Sequence, residues 1–502
     1  MSATIEATEA FAEDSDLAEV GYASLGRTGL IVSRVGFGCY RVDDRAAEHT
    51  EALTSALLQG VNLIDTSTNY TDGHSEQAVG EVLRKLFLTK KLSREQVVLV
   101  SKVGYVQGKN LALAEERATK GNPFPEMVQY MDGCWHCLHR DFIDDQLARS
   151  LARLDLARLD VYLLHNPEYF LLDAKKHRAP LPETRERFYE RIKRAFEKLE
   201  EECDRGRISC YGVSSNTFAL PPDDPEATSL TRMLALAEEI ALSRTGDRDK
   251  HRFSVVQLPL NLYEHLPVTQ KKEGGHSTPL AFAKEHGLAV LTNRPLNAFA
   301  NERLIRLADP PAVRAESTFP DALEELRALE AIFAEDFAPR IHVEKGPRAE
   351  DLLRWGSELA DAPKKLADLD HLSALVNQLI GPRTTHLLKE LDAGFREDPG
   401  FQAFVPRYMK SLEALLEAVA YEIAERMRKE SGRQKSRLLS SVKKGYPSAP
   451  LSRLALSTLL STEGVTTVLV GMRKRGYVED AIAAVGLPRF SNQEVLDIYE
   501  AF

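Results

Sequence analysis

The sequence predicts an α/β fold, a closed (β/α)8 barrel in which eight parallel strands alternate with helices. Two observations lead to this prediction. Short apolar strands and amphipathic helices alternate along most of the chain, and eight such strands favour a closed barrel over an open sheet. Several strands also end in polar residues, and a parallel barrel gathers the carboxyl ends of its strands on one face. We therefore expect a functional site at that face.

Composition excludes several classes of protein. The chain has 502 residues, 28% charged residues and a formal net charge of −10, which is typical of a globular enzyme and unlike a nucleic-acid-binding protein. No apolar run reaches the roughly 18 residues of a membrane helix, and the first 26 residues lack the Lys or Arg of a secretory signal. Five cysteines in so long a chain form no disulfide framework. We expect a cytoplasmic protein without membrane or nucleic-acid partners.

The elements can be placed in chain order. Residues 1–20 are acidic and predict a flexible tail, and residues 22–33 contain a Gly-Arg-Thr-Gly turn that predicts a β-hairpin. Strands are predicted at Val35–Gly38, Val61–Asp65, Val97–Lys102, Val161–His165, Ile208–Val213, Val255–Leu258, Leu288–Leu291 and Val468–Val470. Helices are predicted at Ala46–Gln59, Ser75–Leu86, Asp141–Leu154, Phe188–Cys203, Leu230–Ala241, Pro279–His286 and Leu451–Leu460. Residues 103–140 are predicted to form a long polar loop.

Residues 301–449 interrupt the barrel after strand seven. About 150 residues stand where a handful is usual. Two apolar stripes at helical spacing predict a large all-helical insertion, with the barrel formed by residues 21–300 and 450–502. The stripes are Leu323, Leu326, Leu329 and Phe333, and Leu412, Leu416, Val419, Ile423 and Met427. Because the insertion leaves a strand-to-helix loop, we expect a cap over the substrate opening or, alternatively, a module that binds a protein partner.

Five segments resemble the aldo-keto reductases. IDTSTNYTDGHSEQAVG (64–80) is similar to the strand-two signature of that family, and LGRTGLIVSRVGFG (25–38) is similar to its opening hairpin and first strand. VSK, LDVYLLHNPE and GRISCYGVSSN continue the match in order, so that it covers about residues 21–300 and 450–490. The resemblance implies an eight-stranded α/β barrel and NADPH-dependent carbonyl reduction.

Four polar residues at or after strand ends suit that chemistry: Asp65, Tyr70, Lys102 and His165. A hydride that reaches a carbonyl carbon leaves an alkoxide that must be protonated. A tyrosine with a pKa of about 10 is a reluctant acid or base near neutrality and needs a neighbouring cation. Lys102 can supply the cation, Asp65 can hold it, and His165 can hydrogen-bond the substrate oxygen. Structural alternatives are a turn cap for Asp65, a solvated charge for Lys102 and a satisfied polar residue for His165.

The resemblance also implies cofactor-binding residues. Ser215, Asn216 and Gln257 would hold the nicotinamide carboxamide. Asn293, followed by Arg294, stands where many family members place an aromatic residue that stacks on the nicotinamide. A basic segment after strand eight stands where the family binds the adenosine phosphate, and its charge favours NADP over NAD, a solvated turn being the alternative. The residues of this segment are Gly471, Arg473, Lys474, Arg475 and Asp480.

Cys134 and Cys137 suggest a metal or redox site, because His136 and His139 stand beside them. The four residues are too close in sequence for the usual ligand spacing of structural zinc, so we expect loop packing and no metal. The basic run between Arg426 and Lys444 could face an anionic substrate, but a solvated helix face is the simpler interpretation.

The sequence leaves three functional hypotheses open. The first is an NADPH-dependent oxidoreductase that acts on the carbonyl group of an aldehyde, ketone or sugar. The second is a nucleotide-bound regulatory or partner-binding subunit on the same fold. The third is a non-redox barrel enzyme that uses the Tyr70 and Lys102 pair for proton transfer. The presence of all four polar residues favours the first.

Overall fold

The structure, a computed structural model, describes residues 2–17, 21–271, 277–300, 303–342, 348–443 and 445–502. The chain divides into two compact units. Residues up to Leu307 and from Arg437 to Phe502 form the first, and Ala308–Ser436 form the second. The domain boundaries drawn from the sequence at residues 21, 301 and 449 stay predictions, as does the position of the insertion as a cap.

The first unit contains a closed barrel of eight parallel strands, which confirms the predicted fold. Each strand pairs with its neighbours in sequence, and the last pairs with the first. The strands β1 to β8 are Val35–Gly38, Leu63–Asp65, Val98–Val103, Leu159–His165, Ile208–Ser214, Phe253–Pro259, Ala289–Asn293 and Thr467–Val470.

A helix follows each strand. These helices, α1 to α8, are Ala47–Leu58, His74–Leu88, Arg140–Leu154, Leu181–Asp204, Leu230–Thr245, Pro279–Glu285, Leu451–Ser461 and Arg475–Val485. Each buries one apolar face in the larger core of the unit, as Ala52, Leu53 and Ala56 of α1 do. This packing covers the outer surface of the barrel.

A second apolar cluster fills the barrel interior. Alternate residues of the strands point inward, among them Val98 and Val100 of β3. The predicted N-terminal hairpin is present, with strands Tyr22–Ser24 and Ile31–Ser33, and its Leu25 and Val32 are buried in the same cluster. The hairpin therefore closes the amino-terminal end of the barrel and leaves the carboxyl ends of the strands for a site.

The strand register brings the polar strand ends level. Ser214 at the end of β5 lies opposite His165 on one side and opposite Gln257 on the other. On the far side of the barrel, Asp65 lies opposite Gly38. Neighbouring strands therefore present these side chains at the same height.

The predicted flexible tail is wrong over the described residues before Leu17. Ile5–Glu13 form a helix, and the side chain of Thr4 caps it by accepting a hydrogen bond from Ala7 N. Thr8 Oγ1 accepts a hydrogen bond from Ile31 N at 3.0 Å, and Phe11 is buried against the core. The acidic composition hid this helix because only one of its faces is apolar.

The predicted polar loop at residues 103–140 is also wrong. It contains the helix Gly108–Thr119 and an antiparallel sheet of Tyr105–Val106, Cys134–His136 and Val128–Met131. Strands of two to four residues are too short to show the period-2 pattern that identifies strands in a sequence.

The chain after β7 begins with strands rather than helices. Asn297–Ala300 pair with Arg303–Arg306 in a hairpin, so the predicted all-helical insertion is wrong at its first residues. The described part of the second unit is helical. Its longer helices are Phe319–Ile332, Gly381–Phe395 and Pro399–Ser440, and shorter ones are Trp355–Glu358, Ala362–Lys365 and Leu369–Leu375. Pro399–Ser440 continues beyond Ser436 into the residues of the first unit.

The second unit has its own apolar core. Phe333, Phe337, Phe401, Phe404 and Tyr408 pack together with ring centroids 5.3 to 6.3 Å apart. In neither unit does any described helix combine the length and apolarity needed to cross a membrane.

Candidate active site

Lys102 is the centre of a buried polar cluster at the carboxyl ends of β2 and β3. Its Nζ donates hydrogen bonds to Asp65 Oδ2 at 2.7 Å, to the carbonyl oxygen of Thr66 at 2.9 Å and to the Tyr70 hydroxyl at 3.0 Å. All three N–H groups of the ammonium are therefore used. Lys102 is fully buried, which excludes the solvated charge considered from the sequence.

Asp65 is held from a second direction. Gln257 Nε2 donates to Asp65 Oδ1 at 2.8 Å, and Ser214 Oγ donates to Gln257 Oε1 at 2.9 Å. The ends of β2, β3, β5 and β6 are thereby joined by one set of hydrogen bonds. This arrangement fixes both the carboxylate and the ammonium.

Burial keeps the Tyr70 phenol protonated, against the effect of the Lys102 ammonium. Burial works against the charge on Lys102, but Asp65 and Tyr70 outweigh it and raise the pKa of Lys102 above its ordinary value. Burial raises the pKa of Tyr70, and the Lys102 ammonium opposes that rise. Tyr70 therefore has a proton to give at neutral pH, and Lys102 stabilises the phenolate that this would leave.

Tyr70 begins a strained turn. The backbone φ angles of Thr71 and Asp72 are 45° and 58°, in the left-handed region that a β-branched threonine rarely occupies. Asp72 Oδ1 accepts a hydrogen bond from Lys109 N at 2.8 Å, and a Cβ on Gly108 would lie 2.3 Å from the same oxygen. The turn is therefore held in place by the start of the helix Gly108–Thr119.

His165 lies beside Tyr70, with ring centroids 5.9 Å apart. Its Nδ1 is 3.1 Å from Ser67 Oγ, and its carbonyl oxygen accepts a hydrogen bond from His136 Nε2 at 2.7 Å. Burial and the Lys102 ammonium keep the pKa of His165 well below its usual range. His165 is therefore a neutral imidazole at the mouth of the barrel.

The predicted carboxamide-binding residues differ in what they contact. Ser215 Oγ is buried against the hydroxyls of Thr217 and Thr228, at 3.2 and 3.1 Å, whereas the Asn216 side chain is exposed. The amide of Gln257 is already bonded to Asp65 and Ser214.

Asn293 and Arg294 follow at the end of β7. Asn293 Nδ2 donates to Gln257 Oε1 at 3.4 Å, and Asn293 Oδ1 is buried without a hydrogen-bond partner among the described residues. Arg294 forms an ion pair with Glu264 at 2.9 Å.

The predicted phosphate-binding residues lie at the start of α8. Gly471 is exposed, and a Cβ there would meet no atom within 4 Å. Arg475 Nε donates to Glu479 Oε1 at 3.2 Å, while Lys474 lies 3.9 Å from Glu48. Asp480 instead accepts hydrogen bonds from Ser452 Oγ and Arg453 Nε, at 2.6 and 2.7 Å. Those two bonds tie Asp480 to α7.

The Cys134 and Cys137 region does not gather into a metal centre. Cys134 Sγ accepts from Gln107 Nε2 at 3.1 Å, and Cys137 Sγ donates to the carbonyl oxygen of Pro125 at 3.4 Å. Over the described ranges, the one group whose ligand atoms could share a metal ion is Asp43, Asp44 and His74. Asp44 already pairs with His74 at 2.7 Å.

Sequence reasoning missed several residues that hold the site. Hydrogen bonds to predicted site residues come from Ser67, His136, Ser214 and Glu168, and Gln107 bonds to Asn69, which itself bonds to Ser67. Ser67 and Glu168 stand within the quoted motifs, three or fewer residues from a predicted site residue. Their proximity was the available signal, whereas Gln107 and His136 come from the segment taken for a loop.

The sequence matches a known protein family. The model of the Aldo/keto reductase family matches residues 34–334. The chain is 31% identical over 149 residues to the NADH-specific methylglyoxal reductase of Escherichia coli (strain K12), covering 28% of this chain and 40% of that protein. It is 27% identical over 200 residues to the aldo-keto reductase YhdN of Bacillus subtilis (strain 168), covering 39% and 46%. The chain spans less than half the length of each of these relatives.

Among solved structures, the aldo-keto reductase AKR11C1 from Bacillus halodurans (holo form) aligns with a TM-score of 0.47 and 16% identity. That alignment covers 96% of this chain and 95% of the other. The family model covers more than half of the sequence, from the residue before β1 to beyond β7. The chain belongs to the aldo/keto reductase family.

Proposed function

We propose that the protein is an NAD(P)-dependent oxidoreductase that reduces the carbonyl group of an aldehyde, ketone or sugar, or oxidises the corresponding alcohol. The observation that carries this proposal is the buried chain of Asp65, Lys102 and Tyr70 at the carboxyl ends of the strands. If the pair of Asp65 and Lys102 only stabilised the fold, it would not need a tyrosine hydroxyl bonded to the lysine. Here the chain ends in Tyr70, a residue that is half-buried rather than fully enclosed.

The residues near Asp65 fit a nicotinamide cofactor. A carboxamide offers two N–H donors and one carbonyl acceptor. Asn293 Oδ1, which has no hydrogen-bond partner among the described residues, can accept from such a group, and the exposed Asn216 amide at the end of β5 can bond to it. When bound, the cofactor would exchange a hydride with the substrate carbon.

The protein's own part in the reaction is the transfer of a proton. In reduction, the Tyr70 hydroxyl gives its proton to the substrate oxygen as negative charge forms there. Lys102 stabilises the resulting phenolate, and Asp65 and Thr66 fix the position of the ammonium. In oxidation Tyr70 starts as the phenolate, and its oxygen receives the proton of the substrate hydroxyl.

Small carbonyl compounds are the first substrates to test. The name of the Escherichia coli relative contains methylglyoxal, a small ketoaldehyde, so that compound belongs in the first panel. Tyr40, which is 66% exposed, sets its ring edge-to-face against Tyr70 at 5.4 Å and is available to contact such a ligand. We propose NADP as the preferred cofactor, since the positive charge at the start of α8 suits a 2′-phosphate.

Tyr70→Phe tests the proposal. We expect carbonyl reduction to fall by at least about 100-fold, because general acid catalysis typically contributes that much, while cofactor affinity stays nearly unchanged. Steady-state rates and fluorescence titration with NADPH measure the two quantities. Tyr22→Phe is the matched control, since it removes a phenol that bonds to Gly60 O beside the amino end of β2.

Two other results bear on the same proposal. Lys102→Met is also expected to be severe, but it leaves Asp65 buried without its cation and so requires a check of folding. Retention of reductase activity within about tenfold in Tyr70→Phe would remove Tyr70 from the acid role. Absence of cofactor oxidation with any carbonyl compound would instead favour a regulatory subunit or a non-redox enzyme.

A further inference from the structure

The small antiparallel sheet within residues 105–136 reaches the end of β4 through one side chain, His136. We call its strands Tyr105–Val106, Val128–Met131 and Cys134–His136 the side sheet. His136 Nε2 donates a hydrogen bond at 2.7 Å to the carbonyl oxygen of His165. Because a carbonyl oxygen can only accept, this contact assigns the proton of the His136 ring to Nε2. The bond is made to the main chain of His165 and does not involve its ring.

The side sheet holds His136 from several directions. His136 belongs to the central strand and lies opposite Tyr105 on one side and Val128 on the other. Its ring stacks on that of Tyr169, with centroids 5.6 Å apart and planes 11° apart. Burial lowers the pKa of His136 to about 4. His136 is therefore a neutral hydrogen-bond donor with a fixed position at neutral pH.

The room for this bond depends on Gly104, two residues after Lys102. A Cβ on Gly104 would lie 2.5 Å from His136 Nε2 and 2.5 Å from the carbonyl oxygen of His165. Any side chain at this position would therefore push the donor and the acceptor apart. The carbonyl oxygen of Gly104 also accepts a hydrogen bond from Cys137 N at 2.9 Å, which fixes the chain directly after His136.

The bond from His136 meets the chain where it turns out of β4. Asn166 has a backbone φ of 51°, in the left-handed region, and its N–H donates to the carbonyl oxygen of Ser214 at 2.7 Å. Asn166 Nδ2 lies 2.9 Å from the hydroxyl oxygen of Tyr105. The Tyr105 ring lies edge-on to the His165 ring, with centroids 4.7 Å apart. The side sheet therefore contacts both residues of this turn.

We propose that His136 is a positioning residue, which fixes the main chain of His165 and thereby the place of its ring beside Tyr70. The effect on the reaction rests on the proposed function, because it requires a substrate that contacts His165. Without the His136 N–H, the buried carbonyl oxygen of His165 would lose this hydrogen bond. We expect the turn after β4 to shift in response and to move the His165 ring away from its place.

The test follows the carbonyl carbon of His165 in the full-length protein by nuclear magnetic resonance. His165–Asn166 is the only place in the sequence where a histidine precedes an asparagine. Labelling with 13C-carbonyl histidine and 15N-asparagine therefore leaves a single carbonyl–nitrogen correlation. A hydrogen bond deshields a carbonyl carbon. We expect His136→Phe, which keeps a ring beside Tyr169 but has no N–H, to move this signal upfield.

His136→Gln and His136→Asn supply a matched comparison in which both variants lack the aromatic ring. The glutamine N–H can reach the place of Nε2, whereas the asparagine side chain is shorter by one methylene group. We expect His136→Gln to keep the His165 signal near its original position and His136→Asn to move it upfield. His177→Phe, which replaces an exposed histidine, should leave the signal unchanged. A signal that stays in place in both His136→Phe and His136→Asn would overturn the proposal, whether or not the protein reduces carbonyl compounds.

Steady-state kinetics show whether this bond serves the reaction. We expect His136→Phe and His136→Asn to lower kcat/KM for a carbonyl substrate roughly 10- to 100-fold, since a displacement of about 1 Å at a reacting group can cost that much. Affinity for NADPH should stay unchanged, and His136→Gln should retain most of the rate. A shifted carbonyl signal with an unchanged kcat/KM would overturn the positioning role. An unaltered protein that reduces no carbonyl compound would contradict the proposed function alone, and the carbonyl signal would still decide the role of His136.

Discussion

At the scale of single residues, burial decides the protonation of the carboxyl group of Glu168. Glu168, three residues after the end of β4, is buried, and its Oε1 accepts a hydrogen bond from Asn216 N at 2.8 Å. Its Oε2 is enclosed without a partner of good geometry among the residues described. Burial raises the pKa of Glu168 to about 7. This carboxyl therefore titrates near neutrality directly beside a proposed cofactor-binding residue.

Glu168→Gln is expected to change how stability depends on pH. The folded protein holds the Glu168 proton more tightly than the unfolded chain, whose pKa is near 4.5, so the free energy of unfolding falls as pH rises from about 4.5 through about 7. The substitution removes this loss. We expect Glu168→Gln to be more stable than the unaltered protein by about 3 kcal/mol at pH 8 and nearly equal to it at pH 4.5.

Urea unfolding at both pH values provides the measurement for Glu168→Gln. Glu81→Gln, at an exposed position on α2, is the control and should shift stability equally at both pH values. A Glu168→Gln protein whose stability follows that of the unaltered protein at every pH would contradict a raised pKa for Glu168.

The residues that could be foreseen are those whose position follows from the fold class. Asp65, Lys102 and His165 end strands, and a parallel barrel brings strand ends together whatever the loops do. Gln107 could not be foreseen, because its hydrogen bonds depend on the path of the chain after β3 and on amide orientation. The energetic effect of Lys102 was also only partly foreseen, since burial leaves the pKa of Tyr70 raised in spite of the cation.

At the scale of elements, the start of α8 combines the first turn of a helix with three basic residues, Arg473, Lys474 and Arg475. The backbone N–H groups of a helix N-terminus and nearby cations both favour negative charge. Arg475 and Lys474 have acidic neighbours, Glu479 and Glu48. Arg473 forms no ion pair with the described residues. We therefore expect it to contribute more than the other two cations to binding a 2′-phosphate.

Arg473→Gln is expected to weaken NADPH binding by roughly 10- to 100-fold, the usual size of a charged hydrogen bond, with little effect on NADH. Fluorescence titration of both cofactors gives the ratio directly. Arg84→Gln, on the exposed side of α2, serves as a charge-matched control. Equal affinity for NADPH and NADH in the unaltered protein would remove the 2′-phosphate assignment from this helix.

Helices could be predicted from the sequence where the apolar residues repeat over enough turns to show a helical period. Most barrel helices carry three or more turns with one buried face. The predicted bounds of α1 to α7 lie within a few residues of those observed, except that α4 begins seven residues earlier. The sheet in residues 105–136 escaped because its strands are held by pairing and aromatic contacts rather than by a repeated apolar face. Tyr105 packs on both His136 and Tyr169.

At the scale of the whole molecule, each unit has a core of its own. The second unit buries an aromatic cluster, and Trp355 Nε1 donates to Thr384 Oγ1 at 2.8 Å within it. A domain of this size can bury enough apolar surface to fold independently. We therefore expect Ala308–Ser436, produced alone, to unfold cooperatively when followed by circular dichroism.

Phe337→Ala in that fragment is expected to cost about 3 to 5 kcal/mol, as is usual for removal of a buried phenylalanine. Leu379→Ala removes a side chain that is 45% exposed and should cost far less. A fragment with helical signal but no cooperative transition would show that the aromatic cluster is insufficient to fold this unit.

The pairing of β7 with β8 has a consequence for the newborn chain. The two strands join through Leu291 with Thr467 and Thr292 with Val468, across more than 170 intervening residues. At a ribosome speed of about 5 to 20 residues per second, those residues take roughly 10 to 35 s to emerge. Until then β1 and β7 are the unpaired edges of an open, curled sheet, and exposed edges invite pairing with other chains. The insertion therefore sets a waiting time during translation, in which the nascent sheet keeps two exposed edges until β8 emerges and closes the barrel.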